Sequence, residues 1–170
     1  LILLSLDTGI RPSEALSLVE SDINFKAGEV FIRPEIAKTG TSRTLPVSKE
    51  TVNSMARLVG INKKTWNIDY VFCTYDGRQM PIDAWKKRMT YYSRKLKTPI
   101  SAYDLRHAFA ILYLRNGGDA FSLQRIMGHT DMEMTKYYLK FSQADLQNVH
   151  AGASPIKSLL GRRKKTVKLK

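Results

Sequence analysis

Apolar and polar positions change their period along this chain, and each change marks an element. Leu1 to Asp7 is apolar at most positions and reads as the last turns of a buried helix, closed by Thr8-Gly9. From Arg11 to Glu20 the residues Ala15, Leu16, Leu18 and Val19 give a second helix an inward face. Pro12 stands in its first turn, where the missing N–H does no harm. Between Asp22 and Val47 the spacing shortens to alternation: Ile23 and Phe25, then Val30 to Arg33, then Arg43 to Val47. Lys26-Ala27-Gly28 and Thr39-Gly40 are the turns, which predicts three short antiparallel strands with Lys38 near the second turn.

Helical spacing then returns. Ser48 caps a helix that runs to about Leu58, with Glu50 and Val52 within it and Met55 on its apolar stripe. Gly60 to Asn67 reads as a polar, lysine-bearing loop, and Tyr70 to Thr74 as a brief buried run ended by an Asp76-Gly77 turn. In Pro81 to Lys97, Ile82, Trp85, Met89, Tyr92 and Leu96 share one side, with Lys86, Lys87, Arg88, Arg94 and Lys95 around the other. That basic face suits a DNA backbone and equally suits a solvated surface. Ser101 caps the next helix, whose inward stripe is Leu105, Phe109, Leu112 and Tyr113. After the turn Asn116 to Asp119, a helix carries Leu123, Ile126 and Met127 to Gly128; Thr130 or Asp131 then caps a tyrosine-bearing helix. Gln143 to Val149 is a last short helix, and Ala151 to Lys170 a basic tail expected to be mobile. The sum is a mainly α fold with a small antiparallel three-stranded sheet (α+β).

Charge narrows the partner. The chain has 170 residues, 43% of them hydrophobic, enough for one domain with a real core, and a formal net charge of +13. Lys157 to Lys170 holds seven basic residues and no acidic one, so residues 1–156 still carry +6. An excess of this size favours a polyanion, and without an amphipathic anchor or lipidation motif the better polyanion is nucleic acid, not membrane. The single cysteine, Cys73, cannot form an internal disulfide, and no apolar run approaches a membrane span; both fit a cytoplasmic protein. Leu1 stands inside an apolar helical run with no Met before it, so the chain is read as a fragment lacking an N-terminal part.

Candidate chemistry concentrates between Ser101 and Tyr138. This stretch holds Tyr103-Asp104-Leu105-Arg106-His107, then Met127-Gly128-His129-Thr130-Asp131, then Thr135-Lys136-Tyr137-Tyr138. A break at Gly128 lets an arginine, a histidine and a tyrosine converge. Breaking a phosphodiester with a protein nucleophile needs an attacking oxygen, donors on the non-bridging oxygens and an acid for the departing alkoxide. Arg11 lies at a helix entrance, beside the positive end of the dipole, where Glu14 one turn on can orient its guanidinium. Taken alone, Tyr137 and Tyr138 read as packing aromatics, and either arginine as a structural ion pair.

The ordered set changes that. Thr8-Gly9-Ile10-Arg11-Pro12-Ser13-Glu14, the hairpin Lys38, Asp104-Leu105-Arg106-His107, Gly128-His129-Thr130 and Thr135 to Tyr138 together resemble the catalytic domain of the tyrosine recombinase (phage integrase) family over roughly residues 1–150. The resemblance implies a DNA breaking-rejoining fold in residues 1–150, with 151–170 a basic tail docking on a neighbouring subunit through Ile156, Leu159 and Leu160. It implies site-specific recombination or integration of a mobile element through a 3′-phosphotyrosyl intermediate, on double-stranded DNA, in a homotetramer whose isolated domain is monomeric. By the same resemblance Tyr138 is the nucleophile, with Tyr137 its rival, and Arg11 and Arg106 clamp the phosphate. Lys38 is the general acid, His129 donates to a non-bridging oxygen, and His107 gives a supporting hydrogen bond. Lys86, Lys87 and Arg94 are candidate DNA contacts.

Tyr103 departs from the family pattern, which has His or Lys three residues before the second arginine. A phenol can donate to a phosphate oxygen but is a poor base at neutral pH, which leaves open the proton acceptor for Tyr138. Two alternatives follow: a type IB topoisomerase-like nicking and resealing enzyme, or a DNA-binding protein with a disabled site. The spacings of His107, His129 and His150 argue against a metal, and no Gly-rich phosphate loop implies a nucleotide cofactor.

Overall fold

Three polar residues placed just ahead of apolar runs start helices as their chemistry requires. In the computed structural model, which describes residues 1–140 and 146–156, the Ser48 hydroxyl accepts from the Thr51 N–H, Ser101 from Asp104 and Asp119 from Ser122. These caps open α3 (Lys49–Trp66), α5 (Ala102–Arg115) and α6 (Ala120–Met127). The remaining helices are α1 (Ile2–Thr8), α2 (Pro12–Leu16), α4 (Ile82–Leu96), α7 (Glu133–Leu139) and α8 (Leu146–Ala153). Asp131 caps α7, its carboxylate accepting from the Glu133 and Met134 N–H groups.

β1 (Ile23–Asn24), β2 (Glu29–Ile32) and β3 (Arg43–Pro46) form one antiparallel sheet in the order β1-β2-β3. Val30 pairs with Ile23 on one side and Leu45 on the other, so the apolar positions fall on one face. The fold class is the one the patterning predicts. Its larger core gathers Leu4, Ile10, Leu18, Ile32, Leu45 and Val71. A smaller cluster of Phe109, Ala110, Leu114, Leu123, Met127 and Tyr138 lies among α5, α6 and α7, and Ile126 packs against both.

Several boundaries differ from the sequence reading. The helix expected over Arg11 to Glu20 stops at Leu16, because Val19 turns extended to bridge Tyr70 and the Leu18 carbonyl accepts from Val71 N–H. Gly60 to Asn67 is not a loop: α3 continues to Trp66, with Val59 and Asn62 buried. The Asn62 amide donates to the Tyr70 and Val71 carbonyls, which fixes the helix against that segment. On α5 the buried face is Ala102, Arg106, Phe109, Ala110 and Leu114, while Leu112 is exposed. The expected stripe was displaced because the inward face carries a buried arginine and small alanines. Leu96 is likewise exposed at the end of α4. The last helix begins at Leu146 and runs to Ala153; Leu159 and Leu160, with most of the expected tail, lie outside the described residues. Among the described residues no helix is long and apolar enough to cross a membrane.

Candidate active site

Two tight backbone junctions bring the polar residues together. α1 ends on Gly9 at φ 60°, and a side chain there would put its Cβ 2.3 Å from the Phe109 ring. That close approach packs α1 on α5 and lets the Gly9 carbonyl accept from the Arg106 guanidinium. α6 ends on Gly128 at φ 62°, which turns the chain so that the Met127 and Gly128 carbonyls point inward. Arg106 Nη2 donates to Met127 O at 2.7 Å, and Arg11 Nη2 to Gly128 O at 2.8 Å.

Glu14 stands beneath these arginines with no exposure at all. Its carboxylate accepts from the Arg11 backbone N–H (3.1 Å) and Arg11 Nη1 (3.0 Å). It also accepts from Arg43 Nη1 (3.1 Å) and Arg43 Nη2 (2.6 Å), while Arg43 Nε donates to the Ile126 carbonyl at 2.9 Å. Burial alone would raise the Glu14 pKa; the hydrogen bond and charge of Arg43 and the charge of Arg11 outweigh it and hold the carboxyl below its ordinary value. Glu14 is therefore an anion shared by two guanidinium forks.

Arg106 is pulled down to about 10 by burial and by the charges of Arg11 and Arg43, and so remains a cation at neutral pH. His129 is pushed down to about 4 by burial and by Arg106 and Arg11, so its ring is neutral at pH 7. Because a guanidinium can only donate, His129 Nε2, 3.2 Å from Arg106 Nη2, is the accepting nitrogen. Nδ1 then carries the hydrogen and donates to Thr135 Oγ1 at 2.8 Å. The buried guanidiniums of Arg11 and Arg106, the half-buried one of Arg43, one carboxylate and one neutral imidazole leave this cluster at +2. A buried excess of that kind calls for an anion. Beside it opens a groove of about 820 Å³, lined by Thr39, Arg43, Gly128, His129 and Thr130 among others.

Tyr138 closes the cluster from α7. Its ring stacks on His129 at 6.2 Å and 9°, it is buried, and its hydroxyl lies 2.7 Å from His107 Nδ1. Burial, partly offset by Arg106, raises its pKa above the ordinary phenol value. Tyr137 is exposed instead.

The structure thus brings together Arg11, Glu14, Arg106, His107, His129 and Tyr138. Lys38 and Tyr103 stay apart: both are exposed, and among the described residues neither makes a hydrogen bond or ion pair with that group. Lys38 does adjoin Thr39 on the groove wall. Lys86, Lys87 and Arg94 lie exposed on α4 opposite buried Trp85 and Met89, with Lys86 paired to Asp83. Arg43 and Thr135 were not singled out in the sequence for this role. For Arg43 a signal existed: two residues before buried Leu45, it shares the strand's inward face.

Residues 1–144 match the family described as Phage integrase family. The chain is 30% identical over 154 residues to Tyrosine recombinase XerD of Halalkalibacterium halodurans, covering 87% of this chain and 50% of that one. The crystal structure of XerA recombinase superposes with a TM-score of 0.75 at 22% identity, covering 90% of this chain and 56% of that one. XerH site-specific recombinase bound to palindromic difH substrate gives 0.71 at 22%, covering 92% and 44%. The chain spans about half the length of the relatives it matches.

Proposed function

Because this chain belongs to the phage integrase family of tyrosine recombinases, we propose that it carries the strand-cleaving site of a site-specific DNA recombinase, with Tyr138 as nucleophile. Tyr138 Oη attacks the scissile phosphorus, the bond to the 5′ oxygen breaks, and a 3′-phosphotyrosyl ester forms. The freed 5′ hydroxyl of a partner strand then attacks that ester and regenerates the phenol. Ester energy is retained, so no high-energy cofactor is required.

The observation that carries this reading is the largely buried +2 cluster of Arg11, Arg43, Arg106 and Glu14 beside His129 and Tyr138. Arg11 and Arg106 exchange carbonyl partners for the non-bridging phosphate oxygens, each such donor lowering the barrier by about 2.7–4 kcal/mol. His129 releases Arg106 and takes its other tautomer, in which the Thr135 hydroxyl donates to Nδ1 and Nε2 carries the hydrogen donated to the phosphate. Lys38, exposed beside the groove, reaches the departing 5′ oxygen and protonates it. The burial of Tyr138 against His129, compared with exposed Tyr137, supports its assignment.

The partner is double-stranded DNA, a reading supported by the Tn1549 transposon integrase solved in complex with circular intermediate DNA, held by the basic face of α4 through Lys86, Lys87 and Arg94. Residues 1–150 form the catalytic domain and 151–170 a tail that docks on a neighbouring subunit, in a tetramer on two DNA sites. Tyr103, exposed where the family pattern has His or Lys, favours one rival: a DNA-binding protein with a disabled site.

A suicide DNA substrate, nicked so that the short 5′-hydroxyl strand diffuses away after cleavage, decides between them. The protein carrying this chain, expressed at its natural length, forms a covalent adduct that Tyr138→Phe abolishes and Tyr137→Phe does not. DNA binding with no adduct favours the rival.

A further inference from the structure

We infer that His107 is the proton acceptor for the attacking tyrosine, an inference that rests on Tyr138 being the nucleophile. His107 stands one residue after Arg106 on α5, so the helix that carries one clamp also carries the base. Its Nδ1 is 2.7 Å from Tyr138 Oη, within reach for direct proton transfer. Among the described residues no other group is as well placed. His129 also touches the Tyr138 ring, but its Nε2 faces Arg106 and its Nδ1 donates to Thr135, so neither nitrogen is open to the phenol. Tyr103 is exposed and makes no hydrogen bond to Tyr138.

The phenol needs such a partner, because burial among these residues disfavours the bare phenolate despite the nearby Arg106. The groups facing it are Arg106 and His107 from α5, His129 from the α6–α7 turn, and Tyr137 on its own helix. Imidazole accepts at one ring nitrogen while keeping a hydrogen on the other. His107 is solvent-exposed, so its proton can pass on to water. Asp104, one turn earlier, lies near enough to interact electrostatically with the imidazolium so formed.

The step balances. The Tyr138 proton moves to His107 Nδ1 as Oη bonds to phosphorus, and the departing 5′ oxygen takes its proton from Lys38. After religation by the 5′ hydroxyl of the partner strand, each proton returns by the reverse route.

The test is single-turnover adduct formation on the nicked substrate by the natural-length protein. His107→Asn keeps a hydrogen-bonding group near Tyr138 Oη but cannot accept its proton. Its cleavage rate at neutral pH falls about 100-fold or more, the range expected for a lost general base. The rate then climbs with pH as phenolate forms unaided, and added imidazole restores His107→Ala. A substrate whose bridging 5′ oxygen is replaced by sulfur needs no acid for its leaving group. On it the Lys38→Ala defect shrinks while the His107→Asn defect persists. A His107→Asn rate within about 3-fold of wild type at neutral pH would overturn the inference, and so would rescue of that variant by the sulfur substrate. If wild-type protein forms no Tyr138 adduct at all, what fails is the reading of Tyr138 as nucleophile.

Discussion

Replacing Glu14 by glutamine removes the one anion that holds the arginine cluster together while preserving its shape. Glu14 is fully buried and takes four hydrogen bonds, two from Arg11 and two from Arg43. In Glu14→Gln the two guanidiniums face a neutral amide whose NH₂ group has no acceptor among them, and buried Arg11 and Arg106 with half-buried Arg43 lose the carboxylate that balances them. Breaking a buried ionic network by removing one partner costs about 3–5 kcal/mol, a large share of the roughly 5–15 kcal/mol that stabilises an ordinary domain. Urea unfolding followed by circular dichroism reads this directly: with a slope of about 1–3 kcal/mol/M, the midpoint drops by roughly 2 M at pH 7. The pH dependence supplies a second check. Glu14 has a folded pKa held below its ordinary value, so its stabilisation is present above the unfolded value of about 4.3 and is lost as pH falls through the folded one. The gap between wild type and Glu14→Gln therefore narrows on acidification below about pH 4.3. A loss under about 1 kcal/mol at pH 7 would show that Glu14 does not hold the cluster, as would a gap that stays constant from neutral pH to about pH 3.

Three further outcomes follow from the same geometry. Arg43→Met removes two bonds to Glu14 and the one to Ile126, at a cost of about 2–3 kcal/mol; because it shares Glu14 with the first variant, a double-mutant cycle of the two gives a coupling above about 1 kcal/mol. His129 is depressed to about 4, so its protonation favours the unfolded chain; stability is full above about pH 6.5 and falls by on the order of 3 kcal/mol toward pH 4, a loss that His129→Gln suppresses. NMR of the imidazole shows it neutral at pH 6–8 in the free protein. Gly9→Ala forces a Cβ into the Phe109 ring at a positive φ, costing about 1–3 kcal/mol in thermal unfolding and shifting the carbonyl that holds Arg106, so cleavage falls further than DNA binding does.

Much of the site was legible because its parts are local. Pro12 at the start of a helix and Glu14 three residues after Arg11 announce a capped, dipole-facing arginine. Gly128 announces the turn that redirects the chain between His129 and Tyr138. The three strands were legible from alternation, which also places Arg43 inward, but its bond with Glu14 joins residues 29 apart and depends on how the sheet packs on α2. What was not legible depends on how distant helices lean. The contact between His107 and Tyr138 spans 31 residues and is set by the packing of α5 on α7. The run of α3 past Gly60 was hidden by its polar outer face, since lysines at 63 and 64 read as a loop until Asn62 is seen to hold the Tyr70 segment. Leu112 misled for the opposite reason, being apolar on a face that packs against nothing described.

The most direct test is a crystal structure of the natural-length protein on nicked DNA in which orthovanadate occupies the place of the scissile phosphate. Vanadium is expected bonded to Tyr138 Oη, with equatorial oxygens taken by Arg11 and Arg106 and His129 turned from Arg106 to a third donor position. Vanadate bound to Tyr137, or held on the DNA with Arg11 and Arg106 still engaged to the Gly128 and Met127 carbonyls, would contradict that arrangement.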